Sequence, residues 1–253
     1  MWLKIIKIFI LILVVLSCKE VNYKQKNEFS QIKINNNFDS SNEIKKTIAP
    51  YKKIVDDSLN QILCYSKKSY SKSEGHLNTA IGNMMADAAF ELAAPIFKEK
   101  YNIDIDIILL NYGGIRSSLP MGKITIENAY EIMPFENKMI AVKMKYDIFN
   151  KLIRYLIIDQ KAHPISGMKI EISKNNELNE LLVQNQQIDK EKNYYVATSD
   201  YLYKGGDNMS FFSESDSVYT INYKIRDILI DFFKKSDTLN LSSDNRFIYS
   251  NLK

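Results

Sequence analysis

"IDIDIILLNYGGIR", residues 103–116, joins the most apolar strand-like run of the chain to two adjacent glycines and an arginine. Its first half alternates and then becomes continuously apolar from Ile107 through Leu110, which predicts a strand buried on both faces. Its second half leaves that strand as a turn. Glycine serves where a chain must take positive φ or let another group approach its backbone, so a glycine turn at the mouth of a sheet is a candidate ligand site.

Outward from this stretch the periodicity changes. "GNMMADAAFELAAPIFKEK", from Gly82 to Lys100, places Met85, Ala88, Ala89 and Leu92 on one helical face, and "YDIFNKLIRYLIIDQ" does the same with Phe149, Leu152, Ile153, Leu156 and Ile157. "MIAVKMK" alternates Ile140, Val142 and Met144 against Lys143 and Lys145. "MKIEIS" and "YYVATS" read as further strands, and "YKIRDILIDFFKK" as a last helix. Ordered structure is expected to begin near Glu43, in a segment with Ile54, Leu59 and Ile62 at helix-compatible spacings, broken early by Pro50. The fold class that follows is a mixed α/β (α+β) layered domain without internal repeats.

At 253 residues and 45% hydrophobic composition the chain can bury a sizeable core. A net charge of +4, with no basic stripe interleaved with aromatics, argues against nucleic acid as a partner. The N-terminus, "MWLKIIKIFILILVVLSCKE", has two lysines and an apolar run too short for a bilayer span, as the core of a secretory signal would. Its "VLSC" ending resembles the lipobox of bacterial lipoproteins, in which the cysteine, here Cys18, is acylated. The expected organisation is a signal peptide over 1–17, a flexible Asn- and Lys-rich tether over 18–44, and a folded domain over 45–253. The expected location is exported and membrane-anchored, at a periplasmic face or the cell surface. Cys64 is then the one remaining thiol, which leaves no internal disulfide.

Several chemistries are poorly served. A dimetal hydrolase needs several histidines with carboxylates, and this chain has only His76 and His163, neither at ligand spacing; each reads as a solvated or hydrogen-bonded side chain. There is no G-x-S-x-G elbow and no glycine-rich phosphate loop. No catalytic and no metal-binding residue is therefore assigned. Binding is better supported: Asn111, two glycines (Gly113 and Gly114) expected to free backbone N–H groups toward a ligand, and Arg116 as a cation for anions or paired hydroxyls. "SDYLYKGGDN" adds Tyr201, Gly205, Gly206 and Asp207, and "EIMPFEN" sets Phe135 directly after a proline. Two rings, two glycine turns, a cation and a carboxylate can sandwich a flat heterocycle and grip a sugar.

These residues lie in stretches that resemble the C-terminal domain of the 5'-nucleotidase and UDP-sugar hydrolase family: "LNTAIGNMMADA" (77–88), "LLNYGGIRSSLPMGKITIENAYEIMPFEN" (109–137), "ISGMKIEIS" (165–173), "KNYYVATSDYLYKGGDNMSFF" (192–212) and "DNRFI" near the end. The resemblance implies a nucleotide-recognition domain in which Phe135 and Tyr201 clasp the base, Tyr201 with a change of ring type. Asn111 and Arg116 would face the nucleoside and its phosphate side, and Asp207 would accept hydrogen bonds from the ribose. Two departures stand out: Tyr112 replaces the first glycine of a triplet, and the family arginine before the "LNTA" helix start is missing, leaving Lys72 or Lys204 as less directional cations. The family's metal ions and catalytic histidine belong to a metallophosphatase domain that this sequence does not contain. The expectation is a substrate-recognition component with no cofactor of its own, a nucleotide or nucleoside ligand, a membrane attachment through its lipid, and a separately encoded dimetal phosphoesterase carrying the divalent metals. A stand-alone nucleoside-binding surface lipoprotein and a non-binding scaffold are the alternatives.

Overall fold

The computed structural model describes residue 2, residues 29–35 and residues 38–250. The expected signal peptide apart from Trp2, the expected lipidation site Cys18 and the first part of the tether lie outside the described residues. The chain divides into two compact units, Met1–Ile48 and Ala49–Lys253. In the first, residues 29–35 have no regular secondary structure. No helix among the described residues is long and apolar enough to cross a membrane.

Helix α1, Asn42–Leu59, does not break at Pro50: it runs through the proline, which removes one N–H from the helical ladder but leaves the rest of it in place. None of its residues is buried, and Ile62 belongs to the next element, strand β1 (Ile62–Ser66). Helix α2, Ala80–Tyr101, opens on Thr79, whose hydroxyl accepts the Gly82 N–H, and closes on Asn102 in the left-handed region. Strand β2 is Ile107–Leu109, buried throughout, followed by β3 (Gly122–Thr125), the short helix α3 (Ile126–Ile132) and β4 (Lys138–Met144). Helix α4 (Tyr146–Asp159) ends on a left-handed Gln160. Then come β5 (Ile165–Ser166), β6 (Met168–Ile172), β7 (Leu178–Val183), β8 (Gln186–Gln187) and β9 (Tyr194–Ser199). The helical turn α5 (Asp200–Tyr203), β10 (Ser217–Lys224), α6 (Ile225–Lys235), β11 (Thr238–Leu239) and β12 (Phe247–Tyr249) complete the domain.

Three sheets form among the described residues, in the orders β11-β1-β3, β10-β4-β9-β2-β5 and β12-β6-β7-β8, and each mixes parallel with antiparallel pairs. The second unit is thus the mixed α/β domain that the sequence predicts. The five-stranded sheet has helices on both faces. Ile108, Met139, Ala141 and Ala197 join the core built with α2 and α6, while Ile107, Ile140, Val142 and Val196 join the one built with α4. Each large apolar side chain fully buried this way contributes about 1.5–3 kcal/mol relative to exposure. Double coverage also corrects the reading of β4. From Met139 through Val142 every residue is buried, because Met139 and Ala141 pack into the core on one face and Ile140 and Val142 into the core on the other, so the expected one-sided alternation is absent over that part.

Sheet topology decides where loops meet. β2 and β9 are parallel neighbours, with Ile107 beside Val196 and Ile108 beside Ala197, so both strands end at the same edge. β4 runs antiparallel to β9, with Met139 opposite Ser199, and therefore begins at that edge. The segment leaving β2, the segment leaving β9 and the segment entering β4 all converge there. In open α/β sheets such an edge, beyond the carboxyl ends of parallel strands, is where ligands bind.

Candidate functional site

The three converging segments enclose a cleft of about 220 Å³ lined by Asn111, Gly113, Gly114, Arg116, Phe135, Asn137, Tyr201 and Asp207. From β2 comes Asn111, buried at the strand end, and the 3-10 turn Tyr112–Gly114. The Asn111 amide donates from Nδ2 to Oδ2 of Asp207 at 2.7 Å, tying the first segment to the second. Asp207 holds left-handed backbone angles, φ 50° and ψ 32°, and Asn208 follows at φ 61°. Non-glycine residues in that region are uncommon and cluster where a side chain must be aimed.

The glycines make room for the protein itself. A Cβ on Gly114 would stand 2.9 Å from Oδ1 of Asn111, so the turn closes over the amide only because that carbon is missing. The Gly114 N–H is spent on the turn, donating to the Asn111 carbonyl at 3.0 Å, and does not face a ligand as the sequence suggested. Gly205 and Gly206, unlike Gly113 and Gly114, do not line the cleft. Gly205 supplies the left-handed bend, and a Cβ on Gly206 would lie 2.3 Å from the Tyr201 ring, so that glycine is the bed on which the ring rests.

Both expected ring residues are well exposed at the cleft, Phe135 at 40% and Tyr201 at 42%. The Tyr201 hydroxyl donates to Oδ1 of Asp207 at 3.1 Å, and this bond to a carboxylate raises the phenol pKa above its ordinary value. Asp207 thus receives one hydrogen bond on each oxygen from within the protein. Arg116 is exposed, donates to the Gly113 carbonyl at 3.3 Å and places its guanidinium 6.0 Å from the Phe135 ring centre.

The backbone on both sides of Phe135 is tethered. Buried Arg226, at the start of α6, donates to the Pro134 carbonyl at 3.3 Å, ion-pairs with Glu136 and packs its guanidinium 4.0 Å over the Tyr130 ring. The Ile225 N–H donates to the Asn137 carbonyl at 3.0 Å. Hydrogen bonds from Lys224 and Arg226 pull the Glu136 carboxyl down to about 2.

Of the substitute cations, Lys204 is exposed and does not line the cleft. Lys72 reaches the same turn as Arg116: its Nζ donates to the Ile115 carbonyl at 2.7 Å and lies 4.5 Å over the Tyr112 ring. Burial, with repulsion from Arg116, lowers its pKa. His163 is 2% exposed and hydrogen-bonded, with Nε2 2.8 Å from Oδ2 of Asp159 and Nδ1 accepting the Tyr112 N–H at 3.1 Å. Burial lowers its pKa despite the neighbouring carboxylate.

Sequence reasoning missed two contributors. Asn137 sits two positions beyond Phe135, and its place in the same "EIMPFEN" stretch was the one signal for it. Tyr155, whose hydroxyl donates to the Asp207 carbonyl at 2.8 Å, gave no sequence signal, because its role depends on how α4 packs. Among the described residues no group of three or more His, Cys, Asp or Glu side chains could hold a metal ion. The cleft has a single carboxylate, already engaged on both oxygens, and does not fit a dimetal centre.

A family model described as "5'-nucleotidase, C-terminal domain" matches residues 59–214, which include every cleft residue. An apyrase of Tabanus yao is 22% identical over 225 residues, covering 81% of this chain and 41% of the relative. A cell wall protein of Listeria monocytogenes is 28% identical over 157 residues, 56% of this chain and 19% of the relative. The crystal structure of a 5'-nucleotidase precursor from Thermus thermophilus superposes with a TM-score of 0.68 at 18% identity, over 83% of this chain and 43% of that one. The chain spans less than half the length of these relatives.

Proposed function

The chain belongs to the family of 5'-nucleotidase C-terminal domains, and from that premise we propose that it is the nucleotide- or nucleoside-recognition component of a 5'-nucleotidase-type hydrolase. One observation carries this reading: two exposed rings, a cation, an amide and a carboxylate from three distant segments line one cleft. Phe135 and Tyr201 clasp the base, and the remaining lone pairs of Asp207, a carboxylate with about four acceptor sites, take the ribose hydroxyls. Arg116 and Lys72 stand close enough to repel each other, so an anion between them relieves that repulsion and favours a phosphorylated ligand.

The described residues offer no dimetal site. Hydrolysis then falls to a separately encoded phosphoesterase, with this chain delivering the substrate. The Listeria relative is named as a cell wall protein, which supports export; the membrane attachment through acylated Cys18 is part of the proposal and rests on the "VLSC" motif alone.

Thermal melts of the purified chain with adenosine and AMP test the reading. A ligand at 100 times its dissociation constant stabilises the fold by about 2.7 kcal/mol. An unchanged melt at millimolar ligand overturns recognition. Turnover of AMP by the purified chain with added divalent metal, lost in Asp207→Ala, overturns the division of labour. Detergent co-purification of a stoichiometric phosphoesterase supports it, and a chain that comes through alone favours simple nucleoside capture.

A further inference from the structure

Tyr155, Asp159 and His163 form a cluster outside the cleft lining that grips two of its three segments. α4 ends at Asp159, and left-handed Gln160 turns the chain so that His163 returns to the carboxylate four residues earlier. On its other side the imidazole meets the Tyr112 backbone, between cleft residues Asn111 and Gly113. A backbone amide can only donate, so Nδ1 must offer a lone pair and the proton must sit on Nε2, where Asp159 accepts it. The contacts therefore define one tautomer of a neutral ring. One helical turn before Asp159, Tyr155 packs 5.7 Å from the imidazole and donates to the Asp207 carbonyl.

We propose that His163 is a positioning residue whose neutral Nε2–H form holds the 111–114 turn in its binding geometry, so that acid protonation of this ring releases the turn and weakens ligand binding. A proton on Nδ1 would face the Tyr112 N–H, donor against donor. The turn must then shift, and the Asn111 to Asp207 bond shifts with it. The groups facing the ring are Asp159 and Lys161 from the end of α4, Tyr155 from within it, Tyr112 from the turn and Asp207 from the segment after β9. Lys161 is tied to Asp159 at 2.9 Å, which leaves Asp159 less free to favour a charged imidazole. Burial places the titration below the ordinary imidazole value of 6.5, so the turn is held at neutral pH.

The binding arm of the test rests on the proposed nucleoside-recognition role; the spectroscopic arm does not. In the ¹⁵N-labelled full chain at neutral pH, His163 is expected to show a protonated Nε2 and an unprotonated Nδ1, and the Tyr112 amide is expected to shift as the ring titrates. A protonated Nδ1, or a Tyr112 amide indifferent to that titration, overturns the proposal whether or not nucleosides bind. Adenosine affinity of the wild type is expected to fall by up to about tenfold per pH unit below the His163 pKa. His163→Gln, whose amide oxygen can accept the Tyr112 N–H and whose amide nitrogen can donate to Asp159 without titrating, is expected to keep neutral-pH affinity and lose that step. A step that persists in His163→Gln overturns the proposal. If the wild type binds no nucleoside at any pH, the recognition role fails, and the tautomer and the Tyr112 amide still judge the positioning.

Discussion

The Tyr201 hydroxyl donates to Oδ1 of Asp207 at 3.1 Å, so the ring expected to stack on a base is also bonded to the carboxylate expected to hold the sugar. A phenylalanine would leave that oxygen open. Tyr201→Phe is therefore expected to bind adenosine several-fold more tightly, since a net hydrogen bond is worth about 0.5–1.5 kcal/mol. Calorimetric titration checks this, with 2'-deoxyadenosine showing a smaller gain.

Phe135 is 40% exposed and outside both cores. Phe135→Ala should cost about 1–3 kcal/mol of binding, as loss of a stacked base does. The melting temperature without ligand should barely move. A large drop would mean that the ring supports the fold instead.

Gly206→Ala separates ring placement from ring chemistry. The new Cβ would collide with the Tyr201 ring at 2.3 Å. Displacing the ring should weaken binding about as much as removing it, about 1–3 kcal/mol, with circular dichroism unchanged.

Arg226→Met removes the ties on the residues next to Phe135 and on Tyr130: its bond to Pro134, its pair with Glu136 and its stack on Tyr130. About 1–3 kcal/mol of stability should be lost, measured by urea denaturation. The pH dependence has a definite sign. Glu136 falls from 4.5 to about 2 on folding, so its contribution is fully present above pH 4.5 and fades as pH falls toward 2. The wild type should show that acid-side loss, and Arg226→Met should show less of it.

How much was legible follows from what each residue depends on. The run through Ile107 and Leu109 was readable because burial on both faces leaves a continuous apolar signature, and α4 because one face repeats at helical spacing. Phe135, Tyr201 and Asp207 were found through family-like motifs, and the structure brings them to one cleft. β7 was not read, since its exposed and half-buried residues blur the alternation, and β10 was not read although Tyr219 and Ile221 alternate with exposed Val218, Thr220 and Asn222, because few of its residues are fully buried. Pro50 misled because the helix runs through it, losing one N–H of the ladder while the rest of the ladder stays in place. The buried contacts of His163 could not be read, because they require a left-handed Gln160 and a partner 51 residues away.

Asn111 and Asp207 meet across 96 residues of sequence. Neither end can assemble the cleft until β9 has docked beside β2, a long-range pairing of the sort that forms late in folding. Nucleoside binding would therefore report on completed assembly: a truncated or partly threaded chain that lacks the second half of the sheet has no weaker version of this cleft, only unjoined edges.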